Sequence, residues 1–338
     1  MAVVTDEAVV TDEATVDVEN LQKSYGDLEA VRGVTFDVAP GETFGFLGPN
    51  GAGKSTTISM LCTLITPTGG RARVAGCDVA TDPLGVRRRI GLVFQDPTLD
   101  EYLTAYENLR FHAELYRMPK ERTPERVKTV IEMVGLWHRR DDLVRTFSGG
   151  MKRRLEIARG LLHSPRVLFL DEPTVGLDPQ TRVNIWDYIQ ALRDREAITI
   201  FLTTHYMDEA EYCDRIAIID NGEIVTMDTP DALKAAVGKD RISMRTDDDA
   251  RTTVELRDRF GLEGRATSEG LTFQVAGGEE FVPRLFAELD VPIQAVSIAR
   301  PTLDDVFMSH TGRTIRDAEA SSTERLMTNP MVRARRGR

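Results

Sequence analysis

Short apolar runs alternate along the chain with longer segments whose apolar residues recur at helical spacing. Continuous apolar runs are typical of buried strands, and alternation of apolar with polar residues is typical of strands with one exposed face. Helical spacing is found at residues 55–64 and 102–137, the second split near Pro119 and Pro124. An α/β fold is therefore predicted. Its strands are predicted at residues 15–21, 34–38, 43–47, 71–75, 89–95, 167–170, 197–204 and 215–227, the last as a hairpin on an Asn-Gly turn.

The rest of the chain follows a different pattern. A small α+β domain is predicted over residues 239–312, after a boundary near 237–238, with no catalytic constellation in it. Its strands are predicted at 241–246, 271–275 and 292–298, and its helices at 250–260, 280–289 and 303–308. Residues 1–14 repeat the acidic sequence AVVTDE, and residues 313–338 are polar with four arginines among the last six. Both ends are predicted to be disordered.

Residues 48–56 read Gly-Pro-Asn-Gly-Ala-Gly-Lys-Ser-Thr, between a predicted strand and a predicted helix. Chance would place this glycine and lysine spacing in roughly 1% of chains of this length. Gly48, Gly51 and Gly53 can adopt positive φ, which turns successive backbone N–H groups toward one anion. Lys54 offers a charge to the β- and γ-phosphates, and the Ser55 hydroxyl suits Mg²⁺. A P-loop that binds a magnesium nucleotide is therefore predicted, in preference to a glycine turn with an incidental lysine.

Polar residues follow the other predicted strands. Asp171 and Glu172 come directly after the run 167–170. Burial of two acidic side chains is costly, so it indicates that they pair with a cation or have a catalytic function. We expect Asp171 to hold Mg²⁺ and Glu172 to accept a proton from the attacking water, with solvated loop carboxylates as the alternative. Gln95 could orient water or Mg²⁺, or could be a turn amide. His205 also follows a strand, where ligands gather in open α/β sheets, although a lone histidine is more often structural.

Three further positions are candidates for nucleotide contact. Ser148, Gly149 and Gly150 begin a predicted helix and could form a second anion-binding nest. Tyr25 could stack on a purine or could be a partly buried tyrosine at a strand end. Asp178 lies in a turn before another predicted helix.

Composition narrows the classes of function. The 338 residues include 54 acidic and 43 basic side chains, and the net charge of −11 disfavours nucleic acid as a partner. Cys62, Cys77 and Cys213 are too far apart for a disulfide framework or a zinc site, which fits a reducing cytosol. No apolar run reaches about 18 residues and no signal-peptide pattern is present, so the chain is expected to be soluble by itself.

The motifs resemble, in order, those of ABC-transporter ATPase subunits. The Walker A, Q-loop, signature, Walker B, D-loop and H-loop motifs correspond to residues 48–55, Gln95, 148–150, 171–172, Asp178 and His205. The resemblance covers about residues 15–237 and implies a P-loop NTPase core with a helical subdomain at about 96–150 and an antiparallel β subdomain. It also implies two copies facing head to tail, with each ATP between one P-loop and the other signature, and Tyr25 stacking on adenine.

The same resemblance implies ATP and Mg²⁺ as cofactors. Further nucleotide contacts are implied for Pro49, Asn50, Ala52 and Thr56, metal contacts for Ser55, Gln95 and Asp171, and catalytic roles for Gln95, Glu172 and His205. The signature departs from the common Leu-Ser-Gly-Gly-Gln at Phe147 and Met151. Because the serine hydroxyl and glycine amides are retained, we expect phosphate contact to be retained as well.

The variant signature, the following residues 152–154 (Lys-Arg-Arg) and residues 301–307 resemble the drug-export branch typified by daunorubicin-resistance ATP-binding proteins. This implies an ATPase that powers efflux of a drug-like or hydrophobic compound through a separate multi-helix membrane subunit. The protein would lie at the cytoplasmic face of the membrane, docked through residues 102–137 and Gln95. The alternatives are an importer ATPase and a soluble ABC-type ATPase. The transported compound is not specified by the sequence.

Overall fold

The structure is a computed structural model that describes residues 14–267, 270–313 and 315. The predicted arm (1–14) and tail (313–338) lie outside these residues, except for residues 14, 313 and 315. The described chain divides into two compact units, one ending at Met227 and the other beginning at Asp228.

The first unit combines two sheets with helices. Its strands are β1 (Val16–Tyr25), β2 (Leu28–Val38), β3 (Thr43–Leu47), β4 (Gly69–Val74), β5 (Cys77–Asp78), β6 (Ile90–Val93), β7 (Val167–Asp171), β8 (Thr199–Thr204), β9 (Arg215–Asp220) and β10 (Glu223–Asp228). Its α-helices are α1 (Lys54–Leu61), α2 (Pro83–Arg89), α3 (Ala105–Leu115), α4 (Thr123–Met133), α5 (Gly149–Gly160), α6 (Pro179–Glu196) and α7 (Met207–Ala210), and short 3₁₀ helices span Trp137–Arg139 and Val144–Thr146.

The larger sheet has the strand order β10-β9-β3-β8-β7-β6. Parallel pairing joins β6 to β7, β7 to β8, β8 to β3 and β3 to β9. All five residues of β3 and the first four of β7 are buried, which confirms the buried strands predicted from these apolar runs. Because parallel strands share their direction, the carboxyl ends of β3, β6, β7 and β8 meet at one edge of the sheet.

Five phenylalanine rings form the centre of the first unit's core. Phe36 of β2 packs on Phe44, Phe46 and Phe201 of the larger sheet, with ring centroids 5.5–5.8 Å apart. Phe201 also contacts Phe169, at 5.4 Å. These rings therefore join the antiparallel sheet to the parallel sheet beneath the P-loop.

We expect Phe201→Ala to lower the free energy of unfolding by about 3–5 kcal/mol, because it removes a fully buried ring that contacts four others. Urea denaturation followed by circular dichroism measures this difference. Phe286→Ala, at a phenylalanine with 53% of its surface exposed, is the control and should cost far less. Equal losses for the two variants would contradict the importance of the ring cluster.

The antiparallel sheet, ordered β2-β1-β4-β5, confirms the predicted β subdomain. Both of the first two strands are longer than predicted. Tyr25 is the last residue of β1 and pairs with Leu28 of β2, beyond the predicted end of the first strand at residue 21. Gly26, at φ 59°, lets the chain reverse within a tighter hairpin than the apolar pattern indicated.

Helices α3 and α4 confirm the predicted helical insertion and its division near residues 119–124. Thr104 and Glu107 form a capping box at the start of α3. The apolar spacing also included Phe111 and Leu115, but these side chains are 52% and 61% exposed. Helical spacing places residues on one face but does not show what covers that face.

The second unit has helices packed on an antiparallel sheet ordered β12-β13-β11-β14. Its strands are β11 (Asp240–Thr246), β12 (Arg265–Thr267), β13 (Gly270–Val275) and β14 (Ile293–Ala299), and its helices are α8 (Pro230–Val237), α9 (Asp249–Phe260), α10 (Gly278–Glu288) and α11 (Leu303–Thr311). The core includes Ile242, Leu256, Phe273 and Leu285. The predicted α+β pattern is therefore found. Strand β12 was not predicted, because its three residues are too few to show an apolar pattern.

The division between the units falls before α8, whereas the sequence placed the boundary near residues 237–238. Helix α8 contacts α11, and Leu233 on α8 is buried. Packing against a helix distant in sequence thus assigns α8 to the second unit. Among the described residues, no helix is both long enough and apolar enough to cross a membrane.

Cys62, Cys77 and Cys213 are all buried, and none forms a disulfide. Burial raises the pKa of each thiol, most of all for Cys62 and Cys213. Burial therefore favours the protonated thiol at all three positions.

Candidate ATP-hydrolysis site

The P-loop joins β3 to α1, and Gly53 immediately precedes the helix. Gly51 and Gly53 adopt φ of 83° and 108°, as predicted. Gly48 does not have a positive φ, so that expectation is wrong. A Cβ atom at Gly48 would lie 2.3 Å from the carbonyl oxygen of Ile219. Close backbone packing is therefore the reason for glycine at this position.

Lys54 is buried, with 4% of its surface exposed. Its ammonium donates hydrogen bonds to the carbonyl oxygens of Gly48 at 2.7 Å and Pro49 at 3.1 Å. The Nζ atom also lies 3.3 Å from Oε1 of Glu172. A phosphate that enters the loop would compete with these oxygens for the ammonium.

Asp171 ends β7 beside the start of α1. Its Oδ1 atom accepts hydrogen bonds from the hydroxyls of Ser55 at 3.2 Å and Thr203 at 2.5 Å. Burial raises the pKa of Asp171, and the two hydroxyls and the Lys54 charge oppose this shift only in part. A cation beside the carboxylate would favour its ionised form.

The oxygen donors at this edge fit the magnesium ion that the sequence implies. Mg²⁺ prefers oxygen ligands, keeps several waters and commonly uses only one or two protein groups with substrate phosphates. The Ser55 hydroxyl and the Asp171 carboxylate are adjacent oxygens of this kind. Within residues 14–267, 270–313 and 315, no group of three or more His, Cys, Asp or Glu side chains offers an alternative all-protein site.

Glu172 lies at the centre of the side chains predicted for catalysis. Besides Lys54, its carboxylate is 3.3 Å from Nδ1 of His205 and accepts a hydrogen bond from Nε2 of Gln95 at 3.3 Å. Burial alone would raise the pKa of Glu172, but the nearby His205 and Lys54 reverse the shift and leave it lowered. The structure thus brings Gln95, Glu172 and His205 together with Lys54.

The backbone of Glu172 is in the left-handed region, at φ 45°. This conformation costs about 1–2 kcal/mol for a residue with a side chain and persists when its surroundings enforce it. One restraint is the Glu172 amide, which donates to the carbonyl oxygen of Thr203 at 3.2 Å. The turn places the carboxylate toward the P-loop rather than along the strand direction.

The signature and D-loop residues form a second group. Ser148 is exposed and caps α5 by accepting from the Met151 amide at 3.3 Å, and Asp178 caps α6 by accepting from the Thr181 amide at 3.0 Å. A Cβ atom at Gly150 would lie 2.4 Å from the Thr181 side chain, so the two helix starts are in close contact. Beside them, a cavity of about 520 Å³ is lined by Ser148, Gly150, Met151, Arg154, Thr181, Asn184, Ile185, Asp187, Tyr188 and Ala191.

Tyr25 presents an exposed ring, with 49% of its surface accessible. The ammonium of Lys23 lies 5.0 Å from the ring centroid, a distance at which a cation and an aromatic face attract each other. The ring therefore lies at the surface, with the Lys23 ammonium over it.

Thr203 was missed by the sequence reasoning, although its hydroxyl contacts the predicted metal ligand Asp171. Thr203 and Thr204 are completely or almost completely buried at the end of β8. The available signal was a pair of hydroxyl residues at the carboxyl end of an apolar strand, directly before His205. Buried hydroxyls need hydrogen-bond partners, so such a pair predicts polar neighbours.

Comparison with known proteins identifies this arrangement. A family described as ABC transporter matches residues 31–175. The linearmycin resistance ATP-binding protein LnrL of Bacillus subtilis strain 168 is 38% identical over 311 residues, which cover 89% of this chain and 100% of LnrL. The chain belongs to the ATP-binding subunits of ABC transporters. The daunorubicin/doxorubicin resistance ATP-binding protein DrrA of Streptomyces peucetius is 40% identical to this ABC ATPase over 318 residues, 91% of the chain and 95% of DrrA.

The second unit has a family match of its own. Residues 229–311 match a family described as the C-terminal domain of DrrA1-3-like ATP-binding proteins. The similarity to LnrL and DrrA covers most of the ABC ATPase as well as most of each relative. This confirms the predicted relationship to drug-resistance ATP-binding proteins.

Solved structures support the same fold. CbiO1 of Clostridium perfringens, part of the ABC transporter complex cbiONQ, has a TM-score of 0.62 and 28% identity, covering 73% of this chain and 96% of cbiO1. The ATP-binding cassette MJ0796, a dimer in a post-hydrolysis state with ADP and phosphate, has a TM-score of 0.57 and 29% identity, covering 63% and 98%. The predicted fold class is confirmed, and the ABC ATPase binds and hydrolyses ATP.

Proposed function

We propose that this ABC ATPase powers export of a hydrophobic, drug-like compound through a separate membrane subunit. The observation that carries the proposal is the meeting of Lys54, Asp171 and Glu172 at one sheet edge, in a chain similar to resistance ATPases through both of its units. The names of LnrL and DrrA associate those relatives with linearmycin, daunorubicin and doxorubicin. These names favour export over import and over a soluble role without transport.

In the proposed site, the P-loop residues 48–56 surround the phosphates. Lys54 exchanges the carbonyl oxygens of Gly48 and Pro49 for the β- and γ-phosphates. Ser55 and Asp171 are the residues that would hold Mg²⁺, which when bound neutralises charge on the phosphates.

Glu172 is the proposed general base, and it accepts the proton of the water that attacks the γ-phosphate. When Lys54 moves to the phosphates, Glu172 loses one of the groups that lower its pKa. Gln95 and His205, both 3.3 Å from the Glu172 carboxylate, orient the water and the phosphate.

A complete site requires a second copy of the chain. Ser148, Gly149 and Asp178 are exposed at the starts of α5 and α6, where N–H groups are available to an anion. We propose that this face of one copy covers the P-loop of another, as expected for a head-to-tail sandwich. The dimeric state of the MJ0796 cassette is consistent with this arrangement. Tyr25, exposed on β1, would stack on the adenine.

The membrane subunit would dock on the helical insertion and the Gln95 loop. Phe111 and Leu115 are four residues apart on α3, and Tyr102 shortly before the helix is 80% exposed. Exposed apolar side chains that lie together are typical of protein interaction surfaces. This contact would place the ABC ATPase at the cytoplasmic face of the membrane.

The first test asks whether the neighbouring reading frame encodes a multi-helix membrane protein, which is the partner that the proposal requires. Co-expression should bring the ABC ATPase to the membrane fraction and lower accumulation of doxorubicin, the probe compound, in cells. Phe111→Asp should release the protein from the membrane without changing its ATP affinity, because a charge replaces an exposed apolar contact.

Leu84→Asp, which charges an apolar residue on α2 that is also more than half exposed, is the matched control and should stay membrane-bound. If Phe111→Asp also stays bound, the docking surface is misassigned. If loss of the membrane protein leaves drug accumulation unchanged, export of this compound is the wrong function.

A further inference from the structure

Helix α5 carries three charged residues that are almost completely buried. Arg153 is 6% exposed, Glu156 1% and Arg159 8%. Their spacing of three residues places them along neighbouring positions of the helix surface. A binding role was predicted only for the signature at the start of the same helix, and residues 152–154 entered only through the family resemblance. Buried charged side chains need ionic or hydrogen-bonding partners. The partners of these three residues therefore identify the segments that α5 fixes in place.

Arg153 forms hydrogen bonds to the turn that contains the proposed general base, Glu172. Its guanidinium donates to the carbonyl oxygens of Asp171 at 3.2 Å and Glu172 at 3.3 Å, and also to that of Pro173. Three consecutive carbonyls therefore share one planar side chain. Because the middle residue has the left-handed φ described above, these bonds act where the backbone is strained.

The same cluster holds the chain on either side of Gln95. Arg153 donates to the carbonyl oxygen of Phe94, the residue before Gln95, and to Oε2 of Glu156 at 3.2 Å. Oε1 of Glu156 accepts from the amide of Thr98 at 2.7 Å and from its hydroxyl at 3.2 Å. One buried ion pair on α5 thus fixes two segments that meet at the carboxylate of the general base.

We propose that Arg153 is a positioning residue for ATP hydrolysis, which holds the Glu172 turn in its strained conformation and the Gln95 loop against it. The planar guanidinium supplies five donors in fixed directions, whereas a lysine ammonium is a point charge that cannot reach all of these carbonyls together. Arg153 has no contact with nucleotide in this proposal and acts only through Glu172 and Gln95.

The inference rests on the proposed role of Glu172 and is tested by steady-state kinetics of the full chain. Arg153→Gln should lower kcat by about tenfold to hundredfold, because a misplacement of about 1 Å in a catalytic group has an effect of this size. The affinity for a fluorescent ATP analogue should be unchanged. Arg153→Lys should restore part of the activity by holding one or two of the carbonyls.

Arg215→Gln is the matched control, at an arginine of β9 that also pairs with a buried glutamate. Arg215 donates to Oε1 of Glu42 at 2.6 Å and to the Asp37 carbonyl oxygen at 2.9 Å, away from the Glu172 turn. Its kcat should remain at the wild-type value. A wild-type kcat for Arg153→Gln, or an equal loss for the two glutamine variants, would overturn the proposal.

Combination with Glu172→Gln separates positioning from a general loss of structure. Once the base is absent, adding Arg153→Gln should lower hydrolysis by a smaller factor than it does in the wild-type background, since the two changes act largely on one step and only the Gln95 contribution remains. The double variant should also still form an ATP-dependent dimer. An undiminished loss of hydrolysis, or loss of the dimer, would show that Arg153 acts through the signature or the fold. A Glu172→Gln protein with wild-type hydrolysis would instead contradict the role of Glu172, whatever the Arg153 result.

Discussion

Replacing Glu172 with glutamine should lower the rate of ATP hydrolysis by about 10²–10⁴-fold, the usual contribution of a general base, while ATP still binds. The amide keeps the size of the side chain and can remain beside Gln95 and His205, but it cannot take a proton from water. Phosphate release measured at saturating Mg-ATP checks the rate. Glu132→Gln, at a half-exposed acid on α4 that pairs with Lys128, is the control and should hydrolyse normally.

The same variant should accumulate as an ATP-bound dimer, because hydrolysis no longer removes the ligand that favours the closed state. Size-exclusion chromatography with and without Mg-ATP measures the shift. Adding Ser148→Arg should return the protein to monomers, since a bulky cation at the start of α5 would block the opposing phosphate. A Glu172→Gln protein that stays monomeric with ATP would remove the signature-facing dimer from the proposal.

Replacing Lys54 with alanine should weaken ATP binding and abolish turnover. Hydrogen bonds to charged groups contribute about 1.5–3 kcal/mol, and 1.4 kcal/mol is a factor of ten, so affinity should fall about tenfold to hundredfold. Isothermal titration calorimetry with Mg-ATP measures this loss. Lys128→Ala, at an exposed lysine on α4, is the control. Wild-type affinity in the Lys54 variant would contradict the P-loop assignment.

Lys54 should also affect stability in a pH-dependent way when no nucleotide is present. The pKa of Glu172 is lowered in the folded protein, partly by Lys54. The ionised carboxylate therefore stabilises the fold above the ordinary glutamate pKa, and this contribution is lost as the pH falls through the lowered value. Urea denaturation should show a larger loss of stability for Lys54→Ala at neutral pH than in acid. A pH-independent difference would contradict the Lys54–Glu172 interaction.

The sequence predicted which polar side chains meet at this edge of the sheet because they lie at strand ends. Polar residues that interrupt buried apolar runs are visible in the sequence, and parallel strands bring their carboxyl ends to one edge. Asp171, Glu172, Gln95 and His205 each followed such a run, and the structure brings Gln95 and His205 to the carboxylate of Glu172. Their individual roles remain predictions, as do those of Tyr25 and Asp178.

The features that escaped prediction depend on contacts between distant segments. The run Lys152-Arg153-Arg154 entered the predictions only through its resemblance to the drug-export branch, yet Arg153 is buried against carbonyls contributed by two other segments. Phe111 and Leu115 fit an apolar helix face, but more than half of the surface of each is exposed. Helix α8 was assigned to the wrong unit because its partner α11 lies far along the chain. Apolar periodicity predicts the secondary structure of one segment, but it does not predict which other segments pack against it.

The buried cysteines make the native chain a ready background for site-specific labelling. Cys62, Cys77 and Cys213 have little surface and raised thiol pKa values, so maleimide reagents at neutral pH should leave them largely unmodified. A single cysteine introduced on an exposed helix could then carry a fluorophore without prior removal of the native thiols. Two such labelled copies, mixed, would report opening and closing of the dimer in real time by energy transfer.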